Sequence, residues 1–129
     1  MTRLDMRLAK GRQWDELDGH PAADGRSAMW VRLPSDDGSP MATSAAALAI
    51  LGDYVPFGIA QSQGTWWPSN SLDNTIRIVS LADTEWVLVD VRVEGVANGF
   101  GHGTVYLWSE SGVPLAAASQ SALLRRLPR

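Results

Sequence analysis

A mixed α+β fold, an antiparallel sheet of five to six strands wrapped around one central helix, is what this sequence predicts, and two observations carry the prediction. The first is the stretch 40–55, rich in alanine and leucine, in which every residue from Ala45 to Leu51 is apolar and no face is left for water. The second is that nearly everything after it alternates apolar and polar residues, as half-buried strands do.

Residues 3–9 set Leu4, Met6 and Leu8 against Arg3, Asp5 and Arg7, a first strand with one wet face. Residues 10–26, polar and rich in Gly, Asp and Pro, read as a loop, and 27–33 as a second strand closed by a turn over 34–38. The helix follows, with Ser39 as its cap, Pro40 in its first turn, and Gly52 and Pro56 stopping it. It is the only convincing helix, and its composition demands burial.

Residues 56–70 read as a long connector holding Trp66 and Trp67, which either pack over the end of the sheet or line a ligand channel. The next strand is 71–79, with Leu72, Ile76 and Ile78 on one face. Residues 84–93 form the clearest strand, with Val87, Val89, Val91 and Val93 facing the core. Its other face carries Trp86 and Leu88 beside charges, so a partner or another element is expected to cover part of it. Four glycines within 95–103 signal bulges, a tight turn or backbone close to a ligand. Strands at 104–109 and 114–124 complete the sheet. The last places Ala116, Ala118, Gln120 and Ala122 on one face, as expected where a helix packs very close or a narrow channel runs.

The chain is long enough for one cored domain, 1–129, and its 45% hydrophobic and 19% charged residues are those of an ordinary folded protein. A net charge of -3 gives no general attraction to nucleic acid or to anionic membranes. The absence of cysteine excludes disulfides and thiolate chemistry, and His20 and His102 lack metal-ligand spacing, so neither a metal nor a cofactor is implied. No apolar run reaches membrane-spanning length and the first residues lack the core of a signal peptide, which makes the cytoplasm the expected compartment.

Two residues are out of place locally. Asp53 falls at the end of the apolar helix, where the macrodipole disfavours a carboxylate by about 0.3–1 kcal/mol; it reads either as a general base or as a solvated turn residue. Gln120 lies among alanines, where an unpaired amide costs about 1–3 kcal/mol, so it requires a partner. No nucleophile elbow or phosphate-binding loop is present, and no helix follows Gly99-Phe100-Gly101-His102-Gly103.

The strings Leu51-Gly52-Asp53-Tyr54, Ser71-Leu72-Asp73-Asn74-Thr75, Thr84-Glu85-Trp86-Val87-Leu88 and Leu115-Ala116-Ala117-Ala118-Ser119-Gln120, in this order, resemble the second half of the acyl-CoA thioesterase II family. Members of that family carry two hot-dog domains in one chain. The resemblance implies a single hot-dog domain that hydrolyses an acyl-CoA thioester in fatty acid metabolism. It implies Asp53, Ser71 (for the family's threonine) and Gln120 as the catalytic trio holding a water. Asn74, Gly101, His102 and Trp67 are the expected substrate contacts, although Asn74 replaces a common histidine, and Asn98 and His102 stand where arginines are frequent. The missing first half implies pairing of two copies through sheet edges. The rival expectation is an acyl-CoA-binding or structural half-domain without turnover. A hot-dog hydratase fits less well, because no histidine lies near Asp53.

Overall fold

The computed structural model describes residues 5–32 and 43–125. Strand β1 (Asp5–Lys10) and β2 (Arg26–Arg32) flank a loop with one 3₁₀ turn at Trp14–Glu16, and helices α1 (Ala45–Leu51) and α2 (Val55–Gln63) come next. Strands β3 (Ser69–Ile78), β4 (Trp86–Ala97), β5 (Phe100–Ser109) and β6 (Pro114–Leu124) follow, and the six form one antiparallel sheet in the order β1-β2-β4-β5-β6-β3. The turn expected over 34–38 and the cap expected at Ser39 and Pro40 lie outside the described residues.

The α+β sheet-and-helix architecture is as expected, but its helical part is different. The expected helix 40–55 and connector 56–70 are two consecutive helices joined at Gly52-Asp53-Tyr54. Ser44 caps α1, its Oγ accepting from the Ala47 N–H at 3.1 Å. Pro56, read as a stop signal, lies in the first turn of α2, where its missing N–H costs nothing. Gly64 ends α2 in the left-handed region (φ 72°), donating to the Ala60 carbonyl at 2.9 Å.

Contrary to expectation, α1 is not swallowed. Ala47, Leu48 and Leu51 are buried, while Ala45, Ala46, Ala49 and Ile50 face outward, Ile50 with 57% exposure. The sheet wraps α2 instead, which packs on β2, β4, β5 and β6, whereas the main sheet neighbour of α1 is the edge strand β3. Gly58 brings α2 so close to β4 that an added methyl would overlap the Val91 side chain. Leu48, Leu51, Val55 and Ile59 join the inner valines of β4 in one core, each contributing about 1.5–3 kcal/mol by burial.

The loop before β2 is fastened to α2 by a side chain. Gln61, nearly fully buried, accepts from the Arg12 backbone N–H at 2.7 Å and donates to the Arg12 carbonyl at 2.6 Å, while the Arg12 guanidinium donates to the Gln61 carbonyl at 2.8 Å.

The inner face of β4 follows its valines, with Val89 and Val91 fully buried. Trp86 and Leu88 on the outer face are half-buried, and the Arg7 guanidinium lies 4.8 Å from the Trp86 ring centroid. Exposed apolar side chains are found along α1 and β3, at Ile50, Leu72 and Ile78, continuing to Val79 and Leu81, and elsewhere at Met6, Trp66, Phe100 and Leu123. The glycine-rich segment holds a bulge between Val93 and Gly95 and a tight hairpin with Asn98 and Gly99 at φ 54° and 76°.

Candidate active site

Three separated elements deliver the central cluster. Gly52 closes α1 against the sheet; a Cβ there would sit 3.1 Å from the Ala118 Cβ, so glycine on the helix and alanine on β6 together allow the close approach the alanine face implied. This places Asp53 over β6, where Gln120, 1% exposed, points inward. On β3 a bulge between Ser71 and Asp73 shifts the alternation, so Ser71 opposes Ala122 and Asn74 opposes Gln120, both on the inner face. The same bulge removes Leu72 from the face it was expected to share with Ile76 and leaves it 53% exposed.

The Gln120 Nε2 donates to Asp53 Oδ1 at 2.5 Å and to Ser71 Oγ at 3.0 Å, and the Ser71 hydroxyl donates to the Asp73 carbonyl at 3.2 Å. Asn74 Nδ2 reaches the same Asp53 Oδ1 at 3.3 Å and the Gly52 carbonyl at 3.4 Å. One carboxylate oxygen of Asp53 thus receives two amide donors. The Gln120 Oε1 is buried with no hydrogen-bond partner among the described residues.

Asp53 was expected to suffer from the helix that precedes it. It also lies just ahead of α2, whose N-terminal end favours a negative charge, so the two helix ends offset one another. Asp53 is exposed on one side. The adjacent Tyr54 phenol is pushed above its ordinary value by burial and, secondarily, by the Asp53 carboxylate.

Two depressions meet at Asp53. A groove between α1 and β3 is lined by Ala49, Ile50, Ser71 and Asn74. On the other side a cavity of about 460 Å³ is lined by Met6, Leu8, Met29, Tyr54, Phe57 and Trp66, with Arg12 and Gln13 among its polar groups.

The structure brings together Asp53, Ser71, Asn74 and Gln120; Trp67, Gly101 and His102 lie outside that cluster. Trp67 borders a separate depression with Val96, Asn98 and Leu124. Gly101 is buried, and a Cβ there would lie 2.6 Å from Ile59 Cδ1, so the glycine serves helix packing. His102 occupies the outer face, its Nδ1 2.8 Å from Ser121 Oγ. Sequence reasoning missed the cavity wall from β1 and α2; the inward alternation of Met6 and Leu8 was the available signal. Among the described residues no group of three or more His, Cys, Asp or Glu could hold a metal ion, and no helix is long and apolar enough to cross a membrane.

Comparison with known proteins identifies the fold and the family. The family model described as "Acyl-CoA thioesterase C-terminal domain" matches residues 1–124. No curated protein matches the chain. Among solved structures, a candidate thioesterase of Novosphingobium aromaticivorans DSM 12444 is similar with a TM-score of 0.75 and 36% identity, over 95% of this chain and 43% of its own. A hot-dog protein of unknown function from Alicyclobacillus acidocaldarius has a TM-score of 0.75 at 24% identity, over 97% of this chain and 46% of its own. The chain therefore spans less than half the length of either. A Streptococcus mutans UA159 protein bound to acetyl-CoA is similar in fold, with a TM-score of 0.70 at 11% identity over 97% of this chain and 92% of its own. The chain has the hot-dog fold and belongs to the acyl-CoA thioesterase C-terminal domain family.

Proposed function

We propose that this domain hydrolyses an acyl-CoA thioester to the free acid and CoA, with Asp53, Ser71 and Gln120 as its catalytic residues. The observation that carries the reading is the single Gln120 amide nitrogen bridging Asp53 and Ser71 from a buried position. With Oδ1 engaged by two amides, the other oxygen of Asp53 takes a proton from a water whose oxygen bonds to the thioester carbonyl carbon. The C–S bond then breaks, and the proton held by Asp53 goes to the departing thiolate. The Gln120 amide nitrogen holds the Asp53 carboxylate and the Ser71 hydroxyl in place, and that hydroxyl helps fix the position of the water. No covalent acyl-enzyme forms. The acetyl-CoA-bound structural neighbour is consistent with CoA as the thiol.

A second copy pairing along β3 is part of the proposal, since β3 is an edge strand beside the exposed Ile50 and Leu72 and beside the groove at Asp53. Light scattering at micromolar concentration is expected to give a dimer mass; a strict monomer overturns the pairing. Thiol release over an acyl-CoA series tests the activity: turnover is expected, with Asp53→Asn about 10²–10⁴-fold slower. Tight binding without thiol release would instead identify a non-catalytic acyl-CoA-binding domain.

A further inference from the structure

The bulge of β3 leaves a main-chain donor of β6 to be satisfied by a side chain. On a regular antiparallel ladder the Ser121 N–H would meet a carbonyl of β3. Leu72 is the extra residue that breaks that register, and the Ser121 N–H donates instead to Asp73 Oδ1 at 2.9 Å. Ser121 is also held from β5, its Oγ lying 2.8 Å from His102 Nδ1, so the Asp73 carboxylate grips a residue that is fixed on its other side. The Asp73 carbonyl meanwhile accepts from the Ser71 hydroxyl at 3.2 Å. One residue therefore pins the bulge with its side chain and holds Ser71 with its main chain.

Donor and acceptor roles at Ser71 are thereby fixed. A serine hydroxyl has one hydrogen and two acceptor lone pairs. A carbonyl only accepts, so the hydrogen goes to Asp73; an amide nitrogen only donates, so one lone pair accepts from Gln120 Nε2 at 3.0 Å. What Ser71 offers to a water is its remaining lone pair, and the water then points one hydrogen at Ser71 and the other at Asp53. That orientation leaves a lone pair of the water free to attack a thioester carbonyl. Released from the Asp73 carbonyl, the same hydroxyl would be free to turn its hydrogen onto that lone pair. We propose that Asp73 is a positioning residue for hydrolysis: it fixes the register of the bulge and the rotation of the Ser71 hydroxyl, so that Ser71 meets the water as an acceptor only. The assignment rests on the thioesterase reading for its catalytic consequence, whereas the clamp itself is independent of turnover.

The test compares, in the full chain, Asp73→Asn, which keeps an acceptor for the Ser121 N–H, with Asp73→Ala, which removes it. Asp73 is exposed, so neither substitution opens the core. In thiol release from an acyl-CoA, Asp73→Ala is expected to lower kcat about fivefold with KM nearly constant, and Asp73→Asn to stay within about twofold of the parent. Placed on Ser71→Ala, the Asp73→Ala change is expected to add nothing, because the hydroxyl it positions is gone. A loss that persists in full on Ser71→Ala, or an Asp73→Asn variant as slow as Asp73→Ala, overturns the assignment. Nuclear magnetic resonance reads the clamp without turnover: the Ser121 amide proton should exchange with solvent about tenfold faster in Asp73→Ala and near the parent rate in Asp73→Asn. Unchanged exchange in Asp73→Ala overturns the clamp. Parent protein that releases no thiol yet shows this exchange pattern would defeat the hydrolytic reading, and with it the catalytic consequence, while the clamp on β3 stands.

Discussion

The two consecutive helices play roles opposite to those their compositions imply. Ala45–Leu51 is wholly apolar, yet it presents Ala45, Ala46, Ala49 and Ile50 to the outside; Val55–Gln63 contains a proline, a glycine and two glutamines, yet it is the helix that the sheet encloses. Composition gives the free energy available from burial, but the shape of the neighbouring surface decides where it is realised. Gly58 lets the backbone of α2 approach Val91, an approach closed to a helix with a larger side chain there. The bare flank of α1 lies beside the edge strand β3, and the groove that both border is the one containing Asp53.

The comparison breaks first at Gly58. Gly58→Val forces branched bulk against Val91 and Val93 and is expected to cost about 3 kcal/mol in chemical denaturation. An unchanged midpoint would mean that α2 is not the packed spine. At the join between the helices, Asn74→Ala removes one of the two amides on Asp53 Oδ1 and should lower kcat about tenfold, some 1.4 kcal/mol, with KM nearly constant. A raised KM with intact kcat would make Asn74 the substrate contact the sequence indicated, not a positioning residue. On α1, Ile50→Ser should change unfolding free energy by no more than about 0.5 kcal/mol while weakening self-association. A large stability loss there would restore α1 to the role of spine. The smallest effect concerns Tyr54, whose phenol should ionise above its ordinary 10.0 because of burial and then the Asp53 charge. Asp53→Asn removes the second cause, so the ultraviolet titration midpoint should fall part of the way back; no movement would separate the two side chains.

What was legible in the sequence was whatever repeats with the period of its element. The valines of β4 and the alanine face of β6 show their inward sides directly, and Gln120 was conspicuous because it interrupts one of them. Asp53 and Gln120 stood out as locally unfavourable, Ser71 and the catalytic grouping came through family resemblance, and the hydrogen bonds join all three. The helix α2 was hidden because Pro56 signals both a helix end and a helix beginning, and the apolar Val55, Ile59 and Ala60 that favour the second choice are few. The bulge in β3 was illegible for another reason: one extra residue inverts the alternation after it, and Leu72 gives no local sign that it is the extra one. Exposure was misplaced for the same reason, since Trp86 found Arg7 across the sheet while Leu72 was turned outward.

The Gln61 side chain meets both polar backbone groups of Arg12, as a neighbouring strand would. Exchange of the Arg12 amide proton with solvent therefore requires that α2 release its hold, so this amide should exchange with the protected class of the core and not with the loops. Arg12 also belongs to the wall of the cavity beside Asp53. That part of the cavity wall is consequently held as firmly as the central helix to which it is tied, whereas Met6 and Trp66 on the same wall stay exposed.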